Sequence, residues 1–256
     1  MGEAKRKQLA AQKEVERQDE LIRQAFQQTS LCIDQYPGNP IQALLSTYAG
    51  RNMTMDLADS VLDKSNVSCS AGCSACCHQM VLCSPFEVLN IAKMILDTWQ
   101  VEALDDLDTK LNALSDLPLT PEARYGKNTP CPLLKNGRCT VYEQRPMPCR
   151  ALYSNSRRHC ESCLIDGGGD VGFLADPQIT STVMTMGINA ALKSKLNLNV
   201  DMVELSGALH TALLDFENVA EQWFTGQNPF VKHQVESDQP AMSEIVEVLI
   251  NRLELS

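Results

Sequence analysis

The chain has 256 residues, 44% of them hydrophobic and 21% charged, which excludes wholesale disorder and leaves length enough for one large packed domain. The formal net charge is −10, and 11 Cys stand against only 2 Trp, 5 Tyr and 6 Phe. An odd cysteine total fits a full disulfide framework badly, and no apolar run approaches the roughly 20 residues of a membrane span.

The opening stretch, MGEAKRKQLAAQKEVERQDE, has neither the apolar core nor the small-residue cleavage site of a secretory signal. Position 6 is Arg, where a myristoylation signal carries a hydroxyl residue. The expected location is the cytoplasm, where thiols stay reduced and a cysteine-rich segment binds metal or does redox chemistry. Residues 3–28 lack Gly and Pro and carry Leu9, Val15, Leu21, Ile22, Ala25 and Phe26 as sparse apolar points. Residues 1–28 read as a charged helix or extension, solvated in preference to contacting a partner. Tyr36-Pro37-Gly38-Asn39-Pro40 is a turn. Residues 41–64 read as a helix with Ile41, Leu44, Leu45, Tyr48, Met55, Leu57, Val61 and Leu62 for packing.

Ten of the cysteines lie between Cys69 and Cys163, and Cys32 alone is outside. The first cluster is Cys69-Ser-Ala-Gly-Cys73-Ser-Ala-Cys76-Cys77-His78. Thiolates two or three residues apart converge on one metal when a tight turn points both sulfurs the same way, and Gly72 permits the positive φ of such a knuckle. Adjacent side chains such as Cys76 and Cys77 tend to diverge, leaving one for a second site or unliganded. Ser84-Pro85-Phe86-Glu87 is then a capping box that starts a helix carrying Phe86, Val88, Leu89, Ile91, Ala92 and Ile95. A second helix from Val101 to Leu114 follows, ended by Leu117-Pro118-Leu119-Thr120-Pro121. Faint strand character is confined to Gln79–Leu82 and the neighbourhood of Val141.

Residues 121–178 hold 12 of the 25 Pro and Gly residues and little periodicity, so they read as irregular unless something external orders them. Here lies the second cluster: Cys131-Pro-Leu-Leu-Lys-Asn136-Gly137-Arg-Cys139, then Arg145-Pro-Met-Pro-Cys149-Arg150, then His159-Cys160-Glu-Ser-Cys163. Asn136-Gly137 is a hairpin signal that folds Cys131 and Cys139 towards each other. Gly167-Gly168-Gly169-Asp170 lacks the strand–helix context of a phosphate loop and reads as a linker. Thr180–Leu198, a segment capped by Asp201 and Glu204 and carrying Val203 to Phe216, and Ala241–Leu255 complete the helices.

Charge is segregated along the chain. Residues 120–163 hold eight Lys/Arg against three Asp/Glu, whereas both flanks are acidic. With few aromatic platforms beside it, the basic stretch is better suited to offsetting thiolates than to binding nucleic acid.

The order Cys-x3-Cys-x2-Cys-Cys, then CPLL-KNGRC-TVYEQRPMPCR, closely resembles the YkgJ-like cysteine-cluster proteins, whose domain is described as chelating zinc or iron. The resemblance runs from about Cys69 to Cys160 and includes Glu87. It implies Cys69, Cys73, Cys76, Cys77, Cys131, Cys139 and Cys149 as metal ligands. Cys160 fits a related branch with a cysteine about ten residues after CR. The family usually has two residues in the first gap, where this chain has Ser70 to Gly72. Among other residues, Cys32 and Cys83 read as small buried hydrophobes, Cys163 is open, and His78 and His159 are minor candidates. Arg145 and Arg150 read as stabilising thiolates or pairing with Glu143.

The expectation is a mainly α protein, a helical bundle-like framework around an irregular, loop-rich cysteine metal-binding centre. Residues 1–28 form the extension, 29–178 the cysteine-cluster domain and 179–256 C-terminal helices packed on it. The cofactor is an iron–sulfur cluster or zinc, in a redox or scaffold role, with no catalytic residue identified. A protein-modifying enzyme, suggested by a flagellin lysine methylase among the relatives, and an interaction module with a purely structural zinc are the alternatives. No membrane association is expected, nucleic acid is disfavoured, and a protein partner is unidentified.

Overall fold

Eleven α-helices carry most of the described residues of the computed structural model, which are 2–61, 64–70, 72–115, 117–125, 129–166, 172–236 and 238–254. The four strands among them have two residues each, so the molecule is mainly α, as the apolar spacing requires. The Gly167–Asp170 reading and the packing of Leu57, Val61 and Leu62 fall outside the residues or side chains described. No described helix is long and apolar enough to cross a membrane.

Helix α1 (Glu3–Gln35) is continuous over 33 residues, about 50 Å of rod. Its beginning is exposed, Leu9 by 43% and Val15 by 56%, whereas Ile22, Ala25 and Ile33 are buried. These apolar positions lie against α8 (Ala175–Leu196), which begins five residues before the expected Thr180. The two helices approach most closely at Gly187, where an added Cβ would stand 2.4 Å from the Ile22 carbonyl oxygen and 2.8 Å from the Ala25 Cβ. Glycine in mid-helix is unfavourable by about 1 kcal/mol against alanine, and here the close crossing requires it.

Helix α2 (Pro40–Val61) packs on α1 and on α3 (Pro85–Thr98). Helix α4 (Val101–Ser115) buries Leu107 and Leu111 and packs on α9 (Leu205–Leu214), to which α3 and α10 (Phe216–Phe224) are also applied. Trp223 of α10 is fully buried and donates its indole N–H to the Asn199 carbonyl at 2.7 Å. Glu204 caps α9, its Oε2 accepting the Gly207 N–H at 2.8 Å. Asp201, expected to share that cap, instead accepts the Ser243 N–H at 2.8 Å and so holds the start of α11 (Met242–Glu254). Strand β1 (Leu82–Cys83) pairs antiparallel with β4 (Val203–Glu204) and ties the first half of the chain to the last.

The stretch expected to be irregular is a string of short pieces. It holds α5 (Pro121–Tyr125), the hairpin β2 (Leu134–Lys135) and β3 (Arg138–Cys139), α6 (Met147–Arg150) and α7 (Arg157–Asp166). Replacing Gly187 by Ala is expected to destabilise the fold by about 1–2 kcal/mol despite better helix propensity, because overpacking outweighs propensity. Urea unfolding measures this, and a variant as stable as the parent would contradict the close crossing.

Candidate metal centre

The helical frame holds the cysteine loops through Glu87. The capping box is present, with the Ser84 N–H donating to Glu87 Oε2 at 3.0 Å. Glu87 Oε1 accepts from the Arg51 guanidinium of α2 and, at 2.7 Å, from the Met147 N–H at the start of α6. Both side chains of the Arg51–Glu87 pair are fully buried. Arg51 also lies 3.8 Å over the Tyr48 ring and donates to the Arg145 carbonyl at 3.2 Å, while the Tyr48 hydroxyl donates to the Gln144 carbonyl. One carboxylate thus places the loop that carries Arg145 and Cys149.

The sulfurs fall into two neighbouring groups. The inner group starts at Ala75–His78, a 3-10 turn containing Cys76 and Cys77. The Cys131 N–H donates to the Cys77 carbonyl at 2.6 Å, stitching the first cluster to the second. Asn136 and Gly137 both have positive φ, 53° and 72°, as a two-residue hairpin loop requires, and Leu134 pairs with Cys139 across it. Gly72 adopts the anticipated positive φ of 82°, and its carbonyl lies 3.8 Å from where a Cβ on Gly137 would stand, so knuckle and hairpin tip are adjacent.

Electrostatics bind this group together. Burial pushes the Cys149 thiol well above its ordinary value; Cys131, Cys76 and Cys139 raise it further, and Arg145 opposes them. Cys131 is pushed up to about 12 by burial, against which the N–H of Leu133 points at its sulfur and Arg124 supplies positive charge. Cys139 is raised by burial, with the Val141 N–H and Arg145 pulling the other way. Cys76 is raised first by its hydrogen bond with Cys77 and then by burial. The expected divergence of Cys76 and Cys77 does not occur, because the 3-10 turn brings both sulfurs together.

The outer group is Cys69, Cys73 and Cys160. Cys69 is exposed, and its Sγ accepts the Ser154 N–H at 3.3 Å. Cys160, on α7, is buried with Cys163 against Ala75, Leu164 and Phe173. Burial raises both the Cys69 and the Cys160 thiols; the Ser154 N–H opposes it at Cys69 and the Ser154 hydroxyl at Cys160. Each of these thiols also feels Cys73 and Cys76, so Cys76 links the two groups.

The remaining candidates separate cleanly. Cys83 is fully buried in β1 and Cys32 half-buried on α1. The His78 Nδ1 is 3.1 Å from the Ser74 carbonyl, and His159 is exposed. Arg145 serves the thiols and lies 3.7 Å over the Tyr142 ring. Arg150 pairs with Asp56, and from Glu143 it takes the carbonyl rather than the carboxylate. Sequence reasoning passed over Arg51, whose signal was a lone arginine within an apolar helix, and Ser154, which carried none.

Thiolates with backbone N–H groups aimed at them suit soft, thiophilic cations such as zinc or iron–sulfur cores. Among the described residues no three Cys, His, Asp or Glu side chains are placed to hold a metal ion as they stand. The donor set, rich in cysteine sulfur, fits such a group in its chemistry. Residues 68–164 match the family model CxxCxxCC, described as "Putative zinc- or iron-chelating domain". The match covers all ten clustered cysteines. No curated protein and no solved structure matches the chain.

Replacing Glu87 by Ala leaves a buried guanidinium unpaired, an expected loss of about 3–5 kcal/mol. Thermal melting beside the parent measures it, and a loss below about 1 kcal/mol would remove Glu87 from its central place.

Proposed function

We propose that the chain is a metal-chelating protein in which Cys69, Cys73, Cys76, Cys77, Cys131, Cys139, Cys149 and Cys160 hold zinc or an iron–sulfur core, after the manner of the YkgJ-like proteins. The observation that carries this reading is the stitching of the two cysteine clusters: the Cys131 N–H donates to the Cys77 carbonyl, Cys139 pairs with Leu134 on the adjoining hairpin, and the Gly72 knuckle lies at the hairpin tip. When bound, zinc would supply a tetrahedral tie, and an iron–sulfur core would add one-electron transfer. The chain's own residues orient the sulfurs: Leu133, Val141 and Ser154 aim N–H groups at them, and Arg145 offsets their charge. A scaffold role is favoured because the sulfurs tie together α6, α7, one hairpin and a 3-10 turn, pieces too short to order themselves. A structural zinc site can contribute about 10–16 kcal/mol of apparent binding energy to such a region.

A second reading, a protein-modifying enzyme, is supported by a cleft of about 140 Å³ lined by Met55, Tyr142, Arg145, Arg150, Tyr153 and Thr180. Arg145 is common to this cleft and the thiols. Titration of lysine-containing peptides tests it through the NMR signals of Tyr142 and Tyr153, and unshifted signals at millimolar peptide would dismiss it.

Anaerobically purified protein is expected to retain metal. Iron with labile sulfide and visible colour identifies a cluster, colourless protein with zinc identifies a tetrahedral site, and folded protein free of both overturns the reading. Cys139→Ser is expected to lose metal and thermal stability together, while Cys69→Ser, at the exposed edge, keeps the inner metal. Equal loss in both variants would reject the division into two groups.

A further inference from the structure

Helix α1 reaches beyond the helices that cover it. Its neighbour α8 runs parallel to it, from Asp176 at 2.7 Å from Arg17 to Lys195 at 2.9 Å from Asp34. Residues 3–13, which precede that contact, are all exposed, so about 16 Å of helix stands clear of the body. Most helical stability in proteins comes from packing one face, and among the described residues nothing buries this stretch.

Charge along α1 changes sign at the same place. Residues 3–13 hold four Lys/Arg and one acid, whereas residues 14–20 hold four acids and one arginine. On one face the two halves complement each other. Positions 5, 8, 9, 12, 15, 16 and 19 follow the three- and four-residue spacing of a single helical stripe. Lys5 opens that stripe and Asp19 closes it, with Gln12 at its midpoint. Turned end for end about Gln12, the stripe sets Lys5 on Asp19, Gln8 on Glu16 and Leu9 on Val15. Leu9 and Val15 are the exposed large apolar side chains of this half of α1. Asp19 accepts from Arg252 of α11, yet 40% of its side chain remains exposed.

We propose that two copies of this chain dock α1 on α1, antiparallel and two-fold symmetric about Gln12, Lys5 of each pairing with Asp19 of the other. The contact is isologous and closes on itself. A parallel pairing would set Lys5 on Lys5 and Asp19 on Asp19, so charge selects the antiparallel one. Each body begins near Arg17, which puts the two bodies at opposite ends of the paired segment. A polyanionic partner would be drawn to residues 3–13 but repelled by residues 14–20 and by a chain at −10 overall. The cysteines take no part in the contact.

Sedimentation of the full chain across the micromolar range is the experiment. The parent is expected to pass reversibly from monomer to dimer as concentration rises, and to dissociate at high salt. Lys5→Glu replaces two attractions per dimer by two repulsions and is expected to weaken association about 10-fold. Asp19→Lys is expected to do the same. Mixed in equal amounts, the two variants are expected to dimerise again, because each chain then meets the opposite charge at both ends. A purely structural role for either residue would not produce that recovery. A parent that stays monomeric throughout, a Lys5→Glu chain that associates as tightly as the parent, or a mixture no tighter than its components each overturns the proposal.

Discussion

A carboxylate and a guanidinium removed together from solvent join the two halves of this molecule's design. Glu87 and Arg51 would each be costly to bury alone, and a buried pair is no large source of stability even when well made. Its effect here is positional. Glu87 is satisfied by Ser84, Met147 and Arg51, and Arg51 by Glu87, Asn52, the Arg145 carbonyl and the Tyr48 ring. Ser84 shares the start of α3 with Glu87, and Asn52 and Tyr48 share α2 with Arg51, but the Met147 N–H, the Arg145 carbonyl and the Arg51–Glu87 pair itself cross between elements. A short loop with little core of its own therefore takes its place from α2 and α3.

The centre beyond that pair follows a different economy. Leu133, Val141 and Met147 are buried there, beside the half-buried Cys76, Cys131, Cys139 and Cys149. Burial holds the inner thiols in their neutral forms, and each ionised neighbour makes the next ionisation harder. Only added positive charge reverses that, and the chain provides part of it with arginines. Ser154 shows the same economy with neutral groups, giving its N–H to one sulfur and its hydroxyl to another.

The helices were legible because their causes are local. Ser84-Pro85-Phe86-Glu87 announces α3, and the spacing of Leu107 and Leu111 announces the buried stripe of α4. The Asn136-Gly137 turn was equally plain, since two consecutive positive φ values restrict the residue choice severely. Asp201 was misassigned because a carboxylate near two helix starts can cap either, and only the tertiary fold brings Ser243 to it. The reach of α1 was underestimated because Ile22, Ala25 and Ile33 form an unremarkable stripe until the facing helix supplies a glycine. Ser154 escaped notice for a related reason: its N–H and hydroxyl reach Cys69 and Cys160 only through the tertiary fold.

The crossing at Gly187 has a consequence in time. Arg17 and Thr180, hydrogen-bonded between α1 and α8, are 163 residues apart in the chain. At ordinary ribosomal speeds of about 5–20 residues per second, the apolar stripe of α1 waits some 8–30 s for its cover. The ten clustered cysteines emerge within that interval, before α8 exists. The newborn chain thus has its sulfurs ready while α1 has only α2 to pack against, and α11, which packs on α8, comes later still.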